Sequence, residues 1–155
     1  MSVLEIDLGC SYRLEVPGEL FIPVGMGNIE TYLPDSSDIN KCFNPDWIRS
    51  WLPPGTYCDE PYLIHYRLND HFPRHRDLKV SDDHLGAVLL YPPADYEGGE
   101  LVIYNDDGSI LHKVGCHHKD NKIIMVLVPL SYEHEVLPIT KGNRYVYLAP
   151  WYREV

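Results

Sequence analysis

From Pro61 onward the chain reads as a series of short strands, each cut off by turn chemistry, and this pattern limits the folds open to it. The runs are Tyr62–Leu68, His84–Tyr91, Glu100–Tyr104, Ser109–Val114, Lys122–Val128, Glu133–Leu137 and Arg144–Trp151. Between them stand Pro92–Pro93, Gly98–Gly99, Asp106-Asp107-Gly108 and Lys141-Gly142-Asn143. Gly, Pro, Asn and Asp end strands because they supply positive φ, fixed φ or side-chain bonds back to the backbone. Asn105-Asp106-Asp107-Gly108 between two runs reads as a hairpin turn. Several short strands at close spacing make a sandwich or a barrel. The 13 prolines and 12 tyrosines point the same way, since proline interrupts helices and tyrosine favours strands.

The first 60 residues read differently. Leu4, Ile6, Leu8 and then Tyr12, Leu14, Val16 alternate loosely as short strands, and Gly25 to Asn44 looks loop-like. Asn44 to Leu52 fits one short helix, with Asn44 as cap, Pro45 as first residue and Pro53–Pro54 as the stop. No linker or repeat divides the 155 residues. The expectation is one domain, with residues 1–60 supporting a β core over 61–152 and one or two short helices near the N-terminus.

The formal net charge of -10 argues against gripping nucleic acid, which depends on Lys and Arg. It is compatible with a plain acidic surface, or with a basic peptide or protein partner. The longest apolar run, Ile123 to Leu130, is far too short to span a membrane. Met1 to Gly9 holds no long apolar stretch, so no secretory leader is expected. Cys10, Cys42, Cys58 and Cys116 form no C-x-x-C pair. Reduced thiols in the cytoplasm are the expectation.

One cluster carries chemistry. His75 and Asp77 are two apart, and in a strand such residues point to the same face. They can converge on one ion if a third ligand comes from elsewhere, and His134 in a later strand candidate is available. Two imidazoles and a carboxylate on one face of an octahedron are the triad of non-haem Fe(II) oxygenases. Taken alone, H-x-D also fits a surface histidine beside an acid. Ten residues after His134 stands Arg144. If its guanidinium faces the interior it needs an anionic partner, and a carboxylate suits its planar fork. The alternative is a surface arginine after a Gly-Asn turn.

The ordered set Tyr66, His75-Arg76-Asp77, Leu89-Leu90-Tyr91, Gly98-Gly99-Glu100-Leu101 and His134 through Arg144 resembles the Fe(II)/2-oxoglutarate dioxygenases, in their prolyl 4-hydroxylase-like branch. The resemblance implies a double-stranded β-helix, or jelly roll. It implies His75, Asp77 and His134 as iron ligands, Arg144 on the distal carboxylate of 2-oxoglutarate, and Tyr66 on the same co-substrate. Fe(II), 2-oxoglutarate and O₂ would be required, with ascorbate as an optional reductant. The substrate would be a prolyl residue of a peptide or protein. Asn69–Asp70 stands where that branch often has Gly, and Cys116 to Asn121 looks like an added loop. The rival readings are an oxygenase acting on a free amino acid or other small molecule, a cupin-like enzyme with another metal, and a non-catalytic jelly-roll binding module. The remaining histidines have simpler roles. His65 should point away from Tyr66, His84 and His112 have no partner pattern, and His117–His118 reads as loop surface.

Overall fold

The computed structural model describes residues 3–7, 21–23, 30–34, 50–59, 61–92, 95–115 and 123–155. They form fourteen strands: β1 Leu4–Asp7, β2 Phe21–Pro23, β3 Glu30–Pro34, β4 Thr56–Cys58, β5 Tyr62–Tyr66, β6 Phe72–His75, β7 His84–Tyr91, β8 Tyr96–Gly98, β9 Leu101–Tyr104, β10 Ile110–Val114, β11 Ile124–Pro129, β12 His134–Val136, β13 Ile139–Gly142 and β14 Arg144–Arg153. The large sheet runs β1-β11-β7-β14-β5-β3-β2, with β4 also on β14. The small sheet runs β10-β9-β12-β6, and β13 pairs with β8 as a separate ribbon. Every pairing is antiparallel. This is the jelly-roll arrangement.

The large sheet is apolar on both faces, because alternate residues of each central strand enter different clusters. Val88 and Leu90 of β7, Met125 and Leu127 of β11, and Tyr147 and Ala149 of β14 pack with Leu52 and Trp51. Leu89, Tyr91, Ile124, Val126 and Val146 face the other way, onto Leu101, Ile103 and Val136 of the small sheet. Strands covered on both sides read as continuous hydrophobic runs, and β7 and β11 are buried along their whole length. A rigid two-sided sheet thus backs one wall of the space between the sheets.

Three expectations change. Among the described residues there is no helix. Of the helix expected over Asn44–Leu52, only Ser50–Leu52 are described, and they form a turn. It is followed by a further turn in which Thr56 gives both its amide and its hydroxyl to the Pro53 carbonyl. The loop-like stretch Gly25 to Asn44 contains β3, where Thr31 and Tyr32 lie opposite Ile64 and Leu63 of β5. A cross-strand partner, invisible in local composition, makes that segment a strand. Lys141-Gly142-Asn143 is expected as a turn between strands, yet Ile139–Gly142 forms a strand that pairs with β8. The Tyr12 to Val16 run and the His117–His118 loop lie outside the described residues.

Candidate metal centre

His75 ends β6 and His134 begins β12, and the two are direct cross-strand partners. Their rings sit 4.4 Å apart between centroids, tilted by 58°. Asp77 lies past the end of β6, so strand alternation is not what aims it. The ladder stops at His75 because β12 begins opposite it, leaving Arg76 and Asp77 without a partner strand. Even so, Asp77 Oδ1 reaches 3.2 Å from His75 Nε2 and 3.5 Å from His134 Nε2. One ligand atom from each residue lies within 4.8 Å of the other two.

The outer nitrogens fix the chemistry of the inner ones. His75 Nδ1 is 2.7 Å from the Pro73 carbonyl and His134 Nδ1 is 3.2 Å from the Tyr132 carbonyl. A carbonyl only accepts, so each Nδ1 carries the hydrogen. In a neutral imidazole Nε2 then presents a lone pair. Two such lone pairs and a carboxylate oxygen converge, an arrangement that repels itself unless a cation stands among them. Burial acts to lower the pKa of His75, but its bonds to Asp77 and the Pro73 carbonyl outweigh that and raise it. Burial acts to raise the pKa of Asp77, and its bonds to His134 and His75 bring it well below the usual carboxylate range. A divalent metal ion fits the same place, and backbone bonds that orient ligating histidines are a regular feature of metal sites.

The three residues line one wall of a cavity of about 110 Å³. Its other walls are mostly apolar, from Ile64, Leu89, Leu101, Val146 and Leu148, with Tyr66 and Arg144 among them. Arg144 starts β14 opposite Tyr66 and is 1% exposed. Its Nη2 donates to the Tyr91 hydroxyl at 2.9 Å, while Nε and Nη1 have no hydrogen-bond partner. The guanidinium carbon stands 4.5 Å from the centre of the Tyr66 ring and 5.1 Å from that of Tyr91. Burial acts to lower the pKa of Arg144, yet Tyr91, Tyr66 and Tyr96 around it raise it, so the group stays charged. A buried cation with two nitrogens that meet no protein acceptor has the chemistry to bind an anion. Gly99 makes room for it. Gly99 has φ +65°, and a Cβ there would stand 2.2 Å from Ile139 Cδ1 and 3.1 Å from Arg144 Cδ.

All five residues expected from the sequence therefore border one cavity: His75, Asp77, His134, Arg144 and Tyr66. Tyr91 holds Arg144, a role that the sequence does not signal, because a tyrosine in an apolar strand reads as core. Glu133, Arg74 and Arg76 were missed too, since their contact depends on strand register. His84 proves structural: its Nε2 donates to the Gly86 carbonyl at 3.0 Å and its Nδ1 accepts the Val80 amide at 3.2 Å. His65 stacks on Tyr145 and bonds Asn143, on the side away from the cavity wall formed by Tyr66.

Fold and site together define a class: a jelly roll with a His-Asp-His donor cluster and a buried arginine facing one cavity. A model of the 2OG-Fe(II) oxygenase superfamily matches residues 62–153, and the chain belongs to that superfamily. Fe(II), 2-oxoglutarate and O₂ are the cofactor and co-substrates of that superfamily. Among curated relatives, a PKHD-type hydroxylase of Paracoccus denitrificans is 34% identical over 67 residues, which are 43% of this chain and 27% of the relative. The chain thus spans well under half the length of such relatives. An oxidoreductase of the 2OG-Fe(II) oxygenase family from Burkholderia pseudomallei superposes with TM-score 0.65 at 10% identity, covering 86% of this chain and 73% of that one. A prolyl hydroxylase from Trichoplax adhaerens, solved with a peptide fragment, gives TM-score 0.59 at 14% identity over 87% of this chain and 71% of that one. At such identities the structures speak for the fold. Among the described residues no helix is long and apolar enough to cross a membrane.

Proposed function

We propose that this chain is an Fe(II)- and 2-oxoglutarate-dependent dioxygenase whose iron is held by His75, Asp77 and His134. Arg144 takes the distal carboxylate of 2-oxoglutarate. The observation that carries this is Arg144: a buried guanidinium with two idle nitrogens, on the same cavity as three converging donors. Each side chain then has one task. The Pro73 and Tyr132 carbonyls hold the imidazoles with Nε2 inward. Asp77 adds one negative charge. Tyr66 and Tyr91 flank the guanidinium and fix its plane. The apolar walls around Arg144 keep its guanidinium out of bulk water, which strengthens a charge contact made there. When bound, Fe(II) with 2-oxoglutarate and O₂ supplies the oxidation that converts a substrate C–H to C–OH, releasing succinate and CO₂.

The substrate we favour is a prolyl residue in a peptide or protein. Support comes from the fold shared with a peptide-bound prolyl hydroxylase and from the hydroxylase names of the curated relatives. A free amino acid or other small molecule is the second reading, favoured by a cavity of only about 110 Å³. We also propose that residues 1–60 and 61–152 act as one oxygenase domain. Leu52, β1 and β3 support this, since they pack or pair with the core strands.

Succinate release with Fe(II) and 2-oxoglutarate should be measured on proline-containing peptides, free proline and other amino acids. Turnover on peptides alone supports the prolyl reading, and turnover on free amino acids alone replaces it. His75→Ala and His134→Ala should each abolish it. A wild-type protein that binds neither Fe(II) nor 2-oxoglutarate, and so serves only as a binding module, would overturn the whole proposal.

A further inference from the structure

On the outer face of the small sheet, opposite the cavity, lies a charged network that the oxygenase reading does not use. Arg74 in β6 and Glu135 in β12 adjoin the strand-borne ligands and so point to the face away from them, and Arg76 and Glu133 lie one residue beyond those strands. Arg74 and Arg76 flank His75, and Glu133 and Glu135 flank His134. Both arginines converge on one carboxylate. Arg74 Nε bonds Glu133 Oε2, and Arg76 Nη1 stands 3.1 Å from Glu133 Oε1. Arg76 Nε also donates to the Ser131 carbonyl at 3.0 Å. The Arg74 guanidinium lies 3.9 Å over the Tyr104 ring, and the Tyr104 hydroxyl donates to Glu135.

We propose that Glu133 is a positioning residue that grips Arg74 and Arg76 and so holds β6, and the Asp77 beyond it, in register with His134. The backbone ladder cannot do this alone. Only His134↔His75 and Val136↔Phe72 pair across β6 and β12, and the register shifts between them. Asp77 lies beyond the last rung, and Arg76, its neighbour, is anchored only through its side chain. A slip of one residue would turn His75 to the outer face. The inference rests on reading His75, Asp77 and His134 as metal ligands.

Exposed ion pairs are individually weak, worth at most about a fivefold change in an equilibrium. The expected effect is therefore on metal affinity, with little on stability. The test is Mn(II) affinity by calorimetry, with the melting temperature of each metal-free variant. Arg74→Gln and Arg76→Gln each remove a positive charge near the site, so electrostatics alone would tighten cation binding. The positioning role requires the opposite: each weakens Mn(II) by about fivefold at nearly unchanged melting temperature. Glu133→Gln weakens it at least as much, and adding Arg74→Gln to Glu133→Gln costs nothing further. Arg76→Lys, which keeps a cation opposite Glu133, recovers part of the loss. Equal or tighter Mn(II) binding by Arg74→Gln and Arg76→Gln overturns the positioning role. Loss of the ligand reading looks different: His134→Ala then binds Mn(II) as well as wild type.

Discussion

Replacing Arg144 by methionine should move stability and co-substrate binding in opposite directions. The guanidinium is 1% exposed, and two of its nitrogens have no hydrogen-bond partner. It is a charge taken out of water and only part-compensated, by the Tyr91 and Tyr96 hydroxyls and by the faces of two aromatic rings. Exchanging buried ionic groups for apolar ones of similar size stabilises by roughly 1–4 kcal/mol in favourable cases. Methionine is unbranched and can follow the stem that passes Gly99. Against that gain, the Tyr91 hydroxyl loses its partner in a fully buried place, a cost of about 1 kcal/mol. The net is about 0–3 kcal/mol in favour of the variant. At about 2–4 °C per kcal/mol for a chain of this size, the melting temperature should stay level or rise by up to roughly 12 °C. Co-substrate binding should collapse, since losing the partner of a buried, charge-assisted pair costs about 2–5 kcal/mol, or roughly 30- to 4,000-fold. Calorimetric melting of the metal-free protein and anaerobic 2-oxoglutarate titration in the presence of Mn(II) read the two effects separately. A variant that melts several degrees lower and binds 2-oxoglutarate as well as wild type would show that Arg144 is a structural arginine and refute the reasoning.

Three further outcomes follow from the same geometry. Gly99→Ala should destabilise by about 2–4 kcal/mol, from a left-handed φ forced on alanine and a Cβ driven into Ile139; it should also weaken 2-oxoglutarate binding by displacing the Arg144 stem, which melting and titration of one preparation will show. Leu90→Ala, on the face of the large sheet turned away from the cavity and fully buried, should cost about 2–5 kcal/mol, seen in urea titration, with Mn(II) affinity unchanged in the folded protein. The pH response should invert on metal loading. His75 has a raised pKa, so its contribution to apo stability is complete below its ordinary 6.5 and is lost as pH rises through the folded value. Asp77 has a lowered pKa, so its contribution is present above its ordinary 3.8 and is lost as pH falls through the folded value. The metal-free protein should therefore gain most from this pair between about 4 and 6.5, whereas Mn(II) affinity should climb as pH rises past 6.5 and the competing proton leaves. An affinity independent of pH from 5.5 to 8 (roughly the histidine range) would contradict this.

Local pattern made much of the strand core legible. His84–Tyr91 matches β7 residue for residue, and Arg144–Trp151 misses β14 only at its far end. Each is a largely apolar run with a proline or glycine turn at one end, Pro92–Pro93 after β7 and Gly142 before β14, and there sequence and ladder end together. What failed were segments whose partners lie far along the chain. β3 is a strand because β5 is beside it, and β8 and β13 are strands because of each other. The H-x-D pair was found through strand periodicity, although Asp77 is not in a strand. The Arg74–Glu133 pair had no signal, because the contact exists only once β6 and β12 are set in register across 59 positions.

The site also explains why the two sheets are built so differently. Arg144 and Tyr66 belong to β14 and β5 of the large sheet, while His75 and His134 belong to β6 and β12 of the small one. In the proposed reading, one dicarboxylate has its metal-binding end on the small sheet and its distal end on the large sheet. Its grip then depends on the spacing between the sheets. The large sheet is held from both faces by apolar packing, so Arg144 is a fixed point. The small sheet has an apolar core on its inner face, and its β6–β12 edge carries an irregular ladder and charged side chains outside. Adjustment on ligand binding should therefore fall on β6 and β12, where local opening is cheapest. Hydrogen exchange compared with and without Mn(II) and 2-oxoglutarate should show added protection at Phe72–His75 and His134–Val136, and almost none along His84–Tyr91. Equal added protection on both sheets would mean that the large sheet moves as well, and Arg144 could not serve as the fixed end.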